Sequence, residues 1–120
     1  MPGGVEGGVM FEEYLLDGTW FTAMDAGPEH DFRFNEAVSF IIECEDQAEL
    51  DHYWTALSSV PESEQCGWCK DKYGLSWQII PKRLVELMTA GGSEKSNKVM
   101  RAFMKMKKLN VAELEAAYNS

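Results

Sequence analysis

Cys66 and Cys69 bracket Gly67 and Trp68 in a C-x-x-C spacing, and Gln78 stands as the one polar amide in the apolar run at 75–80. These residues, with Cys44, His30 and His52, are where chemistry would begin. A C-x-x-C pair is redox-active when a helix N-terminus stabilises one thiolate. Here the spacing falls in an expected strand at 65–70, where residues i and i+3 point to opposite faces, which argues against redox work. Cys44, Cys66, Cys69 and His52 make a poor zinc set: their spacing is irregular and His52 falls on an expected helix. His30 sits in an expected loop. No Ser–His–Asp or Cys–His set is legible, and no glycine-rich loop between a strand and a helix offers a seat for a nucleotide cofactor. Gln78 has a plain reading as a hydrogen-bonded or outward-facing amide, and a polar residue in such a run is the feature to explain.

The elements that would position these groups follow from periodicity. Residues 9–16 alternate as a strand, Asp17-Gly18 is a hairpin turn, and 19–24 is the returning strand. A loose glycine-rich arm precedes them at 1–8, and a polar loop runs from Ala26 to about Asn35. Residues 37–44 form a third strand. Residues 46–58 make a helix: Asp46 and Glu49 form a capping box, and Leu50, Tyr53, Trp54 and Leu57 make one apolar stripe. Such a stripe packs on a sheet. Two strands follow at 65–70 and 75–80, joined by a turn at Asp71-Lys72-Tyr73-Gly74. Pro81 ends the second strand and suits a helix first turn. The tail is helical, with apolar faces at Leu84, Val85, Leu87 and Met88, then Val99, Met100, Phe103 and Met104, then Val111, Leu114, Ala117 and Tyr118. Gly91-Gly92 separates the first two helices, Ser93 is the expected cap of the second, and Asn110 with Glu113 caps the third. The order β-β-β-α-β-β plus helices is an α+β pattern.

At 120 residues the chain is one expected domain, and 45% apolar content with four tryptophans argues for a folded core. No apolar run approaches the ~20 residues of a membrane span, and the N-terminus has no basic region of the secretory kind, so a soluble cytoplasmic protein is expected. The net charge of −9 is uneven: residues 1–64 hold fifteen acidic residues and one basic, residues 65–120 five and ten. The acidic first half disfavours nucleic acid as a partner. The basic cluster Lys95, Lys98, Arg101, Lys105, Lys107 and Lys108 reads as a solvated helix face, or as a contact for an acidic half. Three cysteines is an odd count, so a full disulfide framework is not expected.

The run Cys66-Gly-Trp-Cys-Lys-Asp-Lys-Tyr-Gly-Leu-Ser-Trp-Gln-Ile-Ile-Pro81 resembles the signature of PhnB-like proteins, also catalogued as 3-demethylubiquinone methyltransferase-like. The resemblance extends through Phe34-Asn-Glu-Ala-Val-Ser-Phe40, Cys44-Glu-Asp-Gln47, Asp51-His-Tyr-Trp54 and Met104-Lys-Met-Lys-Lys-Leu109. It implies the vicinal-oxygen-chelate superfamily, with glyoxalase I and the bleomycin-resistance proteins. The fold implied is a glyoxalase-like mixed half-barrel sheet with one packing helix and a C-terminal helical tail. Mapped on this chain, a truncated first module covers 9–25, a second module 37–80 and the tail 81–120. The opening strand, helix and strand of the first module are absent from that mapping. An unpaired edge would follow, and edges are normally covered. A homodimer is therefore expected, with a truncated product or fragment as the other explanation.

In metal-dependent members of the superfamily, carboxylate and imidazole ligands project from the inner sheet face. Carried over position by position, the last-strand ligand matches Gln78, the one opening the second module matches Ser39, and the one after the hairpin turn falls near Thr22. Gln, Ser and Thr are weak ligands for zinc, nickel or iron. The resemblance thus implies a small-molecule-binding module with no cofactor, its cleft lined by Thr22, Ser39, Trp68 and Gln78. Trp20, Phe40 and Trp77 are further candidate walls. The alternative is a divalent-metal-dependent enzyme, with Gln78 as a ligand and a partner chain completing the site.

Overall fold

A computed structural model describes residues 11–24 and 29–120. The expected arm at 1–8, the first two residues of the first strand and the start of the polar loop lie outside the described residues. The chain divides into two compact units, Met1–Arg33 and Phe34–Ser120.

The first unit contributes an antiparallel ribbon of β1 (Glu12–Leu16) and β2 (Thr19–Ala23), with Leu16 opposite Thr19. Asp17 and Gly18 both take positive φ, 47° and 79°. That is the two-residue turn whose twist matches the flanking strands. Tyr14 pairs with Phe21 on one face, their rings stacked with centroids 5.6 Å apart, and Glu13 pairs with Thr22 on the other. Among the described residues the ribbon is two-stranded, and a lone two-stranded hairpin is marginal in water.

The second unit is built on a three-stranded sheet of order β3-β5-β4, from β3 (Ser39–Cys44), β4 (Trp68–Lys70) and β5 (Ser76–Pro81). β3 runs parallel to β5, and β4 antiparallel. Side chains alternate across the sheet. Phe40, Ile42 and Cys44 therefore share one face with Trp77, Ile79 and Cys69. On it lies α1 (Gln47–Leu57), which buries Leu50 and Trp54 against Cys44, Cys69 and Ile79, with Tyr53 and Leu57 at the margin. The expected stripe is the packing stripe. Asp46 caps the helix through the Glu49 amide at 2.9 Å, while the Glu49 carboxylate reaches the Glu45 amide instead of the Asp46 amide.

The tail adds α2 (Lys82–Ala90), α3 (Gly92–Met104) and α4 (Val111–Tyr118) around a second cluster of Leu87, Val99 and Leu114. Asn110 caps α4 through the Glu113 amide as expected. Lys95 and Lys98 donate to the carbonyls of Tyr118 and Ser120 at the end of α4, at 3.2 and 2.7 Å. Cations there offset the helix C-terminal partial charge.

Three expectations are corrected. Ser93 is not a cap: α3 starts at Gly92, directly after Gly91. A Cβ on Gly91 would lie 2.5 Å from the Lys95 side chain and 2.8 Å from the Tyr118 hydroxyl, so both side chains would have to shift to admit one. Val85, Met100 and Met104 are exposed, because α2 and α3 each bury a narrower stripe than the sequence pattern offered. The strand at 65–70 is shorter. Cys66 and Gly67, with φ of 52° and 85°, form a two-residue turn between Gln65 and Trp68, whose backbones exchange both hydrogen bonds.

Candidate functional site

That turn decides the cysteine question on different grounds from those the sequence suggested. Cys66 lies in the turn and Cys69 in β4, so the pair is not within one strand. Cys69 faces α1 and is buried, as is Cys44; all three cysteines are free. Burial, reinforced by nearby carboxylates (Glu49 and Asp46 for Cys44, Glu64 and Asp71 for Cys69), pushes both thiols up to about 11. Neither has the electropositive surroundings that a thiolate requires.

The sheet face opposite α1 is different in character. Register sets Ile41, Gln78 and Trp68 in one row across the three strands, and Ser39, Ser76 and Lys70 in the next. Gln78 donates its side-chain amide to the Ser39 hydroxyl at 3.0 Å. Ile41 is 63% exposed, while Gln78, Ser39 and Trp68 are half-buried. The face is thus an apolar and aromatic surface with a neutral hydrogen-bonded pair set into it. The Gln78 carbonyl and the Ser39 hydroxyl proton have no partner among the described hydrogen bonds. They offer a ligand one acceptor and one donor.

Three of the four residues expected to line a site, Ser39, Trp68 and Gln78, come together on this face. Thr22 lies in the first unit, on the ribbon face shared with Glu13. Phe40 and Trp77 do not line it, because strand alternation turns them towards α1. There Phe40 packs edge-on against Trp77 at 5.4 Å, and the Trp77 indole donates to the Asp71 carboxylate at 2.9 Å. Asp71 also accepts from the amides of Tyr73 and Leu75, so one carboxylate sets both the turn before β5 and the Trp77 ring. Sequence reasoning missed Ser76 and Lys70. Both were legible as same-face neighbours of Gln78 once the register was known, and only the register links them to Ser39.

The donor set does not fit a divalent ion. Gln78 and Ser39 are neutral and already bonded to each other, and no group of three or more His, Cys, Asp or Glu residues able to hold a metal occurs among the described residues. It does not fit a nucleotide-type methyl donor either. β3 passes into α1 through Glu45 and Asp46, and β5 into α2 directly at Pro81. Neither junction carries the glycines that let a backbone cradle such a cofactor.

A mixed sheet with one helix-covered face and one open, side-chain-lined face is the glyoxalase-like α+β arrangement of the vicinal-oxygen-chelate proteins. The family model described as 3-demethylubiquinone-9 3-methyltransferase matches residues 1–80, and the chain belongs to that PhnB-like family. No curated protein matches the chain. Among the described residues no helix is long and apolar enough to cross a membrane.

Proposed function

We propose that the protein is a cytoplasmic small-molecule-binding module whose ligand lies on the open face of β3-β5-β4 and needs no metal. The observation that carries this is the Gln78–Ser39 pair at 3.0 Å, set beside Trp68 and Ile41 on a face that no helix of its own unit covers. Such a surface gives an organic ligand apolar area and two directed hydrogen bonds, the usual composition of a small-molecule site. In this reading residues 37–80 act as the second module and 81–120 as its structural tail. Thr22 is kept as a candidate contact of the ribbon unit alone. A second copy of the chain supplies the opposing wall.

The test is a thermal-shift screen of small organic molecules on metal-free protein, with sedimentation run alongside. The expected result is a hit whose stabilisation is lost in Gln78→Ala and retained in His52→Ala, on a protein that sediments as a dimer. Retention of near-stoichiometric zinc, nickel or manganese, lost on Gln78→Ala, would overturn the metal-free reading. A stable monomer would remove the second wall.

A further inference from the structure

Ser76 opens β5 with its side chain 99% buried in effect: the residue is 1% exposed, and its hydroxyl has no hydrogen-bond partner. A buried hydroxyl without a partner is costly and calls for a reason. Its neighbours supply one. Register places Ser76 between Ser39 on β3 and Lys70 on β4. The Lys70 ammonium pairs with the carboxylate of Glu36, which lies in the turn just before β3. Lys70 on β4 and Glu36 just before β3 come from either side of the central strand, whose first residue is Ser76. Ser76 is thus flanked by the segments that carry the two partners of the bridge, and its buried hydroxyl bonds to neither.

The bridge is displaceable. Glu36 is well exposed, and apart from the turn it belongs to, its carboxylate is held only by Lys70 among the described ion pairs. Exposed pairs of this kind contribute little to stability. Lys70 holds the Glu36 carboxyl below its usual range, which marks the contact as a charge-assisted hydrogen bond.

We infer that Glu36 occupies the seat of a ligand carboxylate, so that Lys70, Ser76 and Ser39 form an oxyanion-binding end to the site. This rests on the reading of the Gln78 face as a ligand site, and it assigns the ligand a class. A carboxylate that displaces Glu36 gains the Lys70 ammonium and gives the Ser76 hydroxyl an acceptor. The rest of the molecule then extends along the strands over the next row, Ile41, Gln78 and Trp68. That row suits an apolar or aromatic body with one polar substituent. The ligand class is a small apolar or aromatic carboxylic acid.

The test is titration of the isotope-labelled full chain with benzoate, with benzyl alcohol and inorganic phosphate as the neutral and inorganic counterparts, read by amide chemical shifts. Benzoate is expected to shift residues 39, 70 and 76 and the Gln78 side-chain amide saturably. Glu36→Gln should tighten it about fivefold by removing the internal competitor. Lys70→Met should abolish saturation, and its amide spectrum reports whether it is folded. Ser76→Ala should weaken benzoate while leaving the melting temperature unchanged or raised, which a purely structural serine would not do. Unchanged affinity in Glu36→Gln, or saturable binding in Lys70→Met, would overturn the inference. Phosphate binding as tight as benzoate, with no shift at Trp68, would overturn the assigned class. If benzoate fails but benzyl alcohol or a screened neutral compound shifts the Gln78 amide, the carboxylate seat falls and the open-face site stands. If nothing shifts that amide, both fall.

Discussion

The Gln47 side-chain carbonyl accepts the backbone amide of Val111 at 2.7 Å, across 64 residues of chain. Its amide group donates to the Leu109 carbonyl at 3.0 Å and to Asp51 at 2.9 Å. The first residue of α1 therefore satisfies one of the unpaired amides at the start of α4. Leu109, fully buried between them, belongs to the same core as Cys44, Leu50 and Ile79. The family match ends at residue 80, but the core of the matched region is closed by residue 109. The helical tail is a structural part of the sheet unit.

Gln47→Ala should destabilise the protein by about 1–3 kcal/mol, because it leaves a Val111 amide and a Leu109 carbonyl short of partners in a partly buried seam. Leu109→Ala should cost about 2–5 kcal/mol through lost burial and the cavity left behind. Urea unfolding at constant m-value measures both. If Gln47→Ala unfolds at the same midpoint as the parent, the tail is held by apolar contacts alone.

Much of this arrangement was legible in the sequence, and the limits follow a pattern. Local chemistry read well: Asp17-Gly18 turns the ribbon, Asp46 and Asn110 cap their helices, and Leu50 and Trp54 pack on the sheet. Each depends on residues within one or two turns of each other. What was not legible needed tertiary contact. The side chains of Lys95 and Tyr118 close in on Gly91, the Gln47 bonds reach Leu109 and Val111, and Lys70 is set beside Ser76 only through the β4–β5 register. At the candidate site, Gln78 stood out as a polar residue in an apolar run. Its pairing with Ser39 required knowing that β3 and β5 are parallel neighbours. Trp77 was misplaced for a simpler reason: as the neighbour of Gln78 on one strand, it had to face the other way.

The three thiols should differ sharply in reactivity. At pH 8 a thiol reagent should titrate Cys66 in the native protein and reach Cys44 and Cys69 only on unfolding, since both are buried and pushed up to about 11. The same shift sets a pH limit. The folded state holds these protons more tightly than the unfolded chain, with its thiol value of 9.0. Stability is therefore fully present below pH ~9 and falls as pH rises towards 11, by up to ~1.4 kcal/mol per unit for each thiol. Urea midpoints between pH 7 and 10.5 test this. A Cys44→Ala, Cys69→Ala double variant should lose most of the alkaline slope even if its overall stability is lower.

The aromatic ring of Trp77 gives a spectroscopic handle on the turn that Asp71 organises. Asp71→Ala removes the acceptor for the Trp77 indole and for the amides of Tyr73 and Leu75. The expected cost is about 2 kcal/mol, since charged acceptors are worth more than neutral ones. Near-ultraviolet circular dichroism should change in the tryptophan band. Asp71→Asn, which keeps a carbonyl acceptor, should recover part of both. A change in stability with no change in that band would mean that the indole bond does not order the ring.

Gly67 and Gly74 both take left-handed φ, 85° and 88°, but they differ in what surrounds them. At Gly74 an added methyl group meets open space, so Gly74→Ala should cost only the conformational term, about 1–2 kcal/mol. At Gly67 the same methyl group lies 3.0 Å from the Ile80 side chain, 3.1 Å from that of Leu109 and 3.2 Å from the Ile79 carbonyl. The carbonyl belongs to the central strand and accepts no easy displacement, so overpacking adds about 1–3 kcal/mol to the conformational cost. Thermal melts of the two variants should separate accordingly, with Gly67→Ala the lower. Because the Cys66 and Gly67 amides donate to the tail carbonyls of Met106 and Lys107, the Gly67 variant should also speed amide exchange at Cys66 and Gly67. Equal melting temperatures would show that the tail yields to the extra methyl group instead of resisting it.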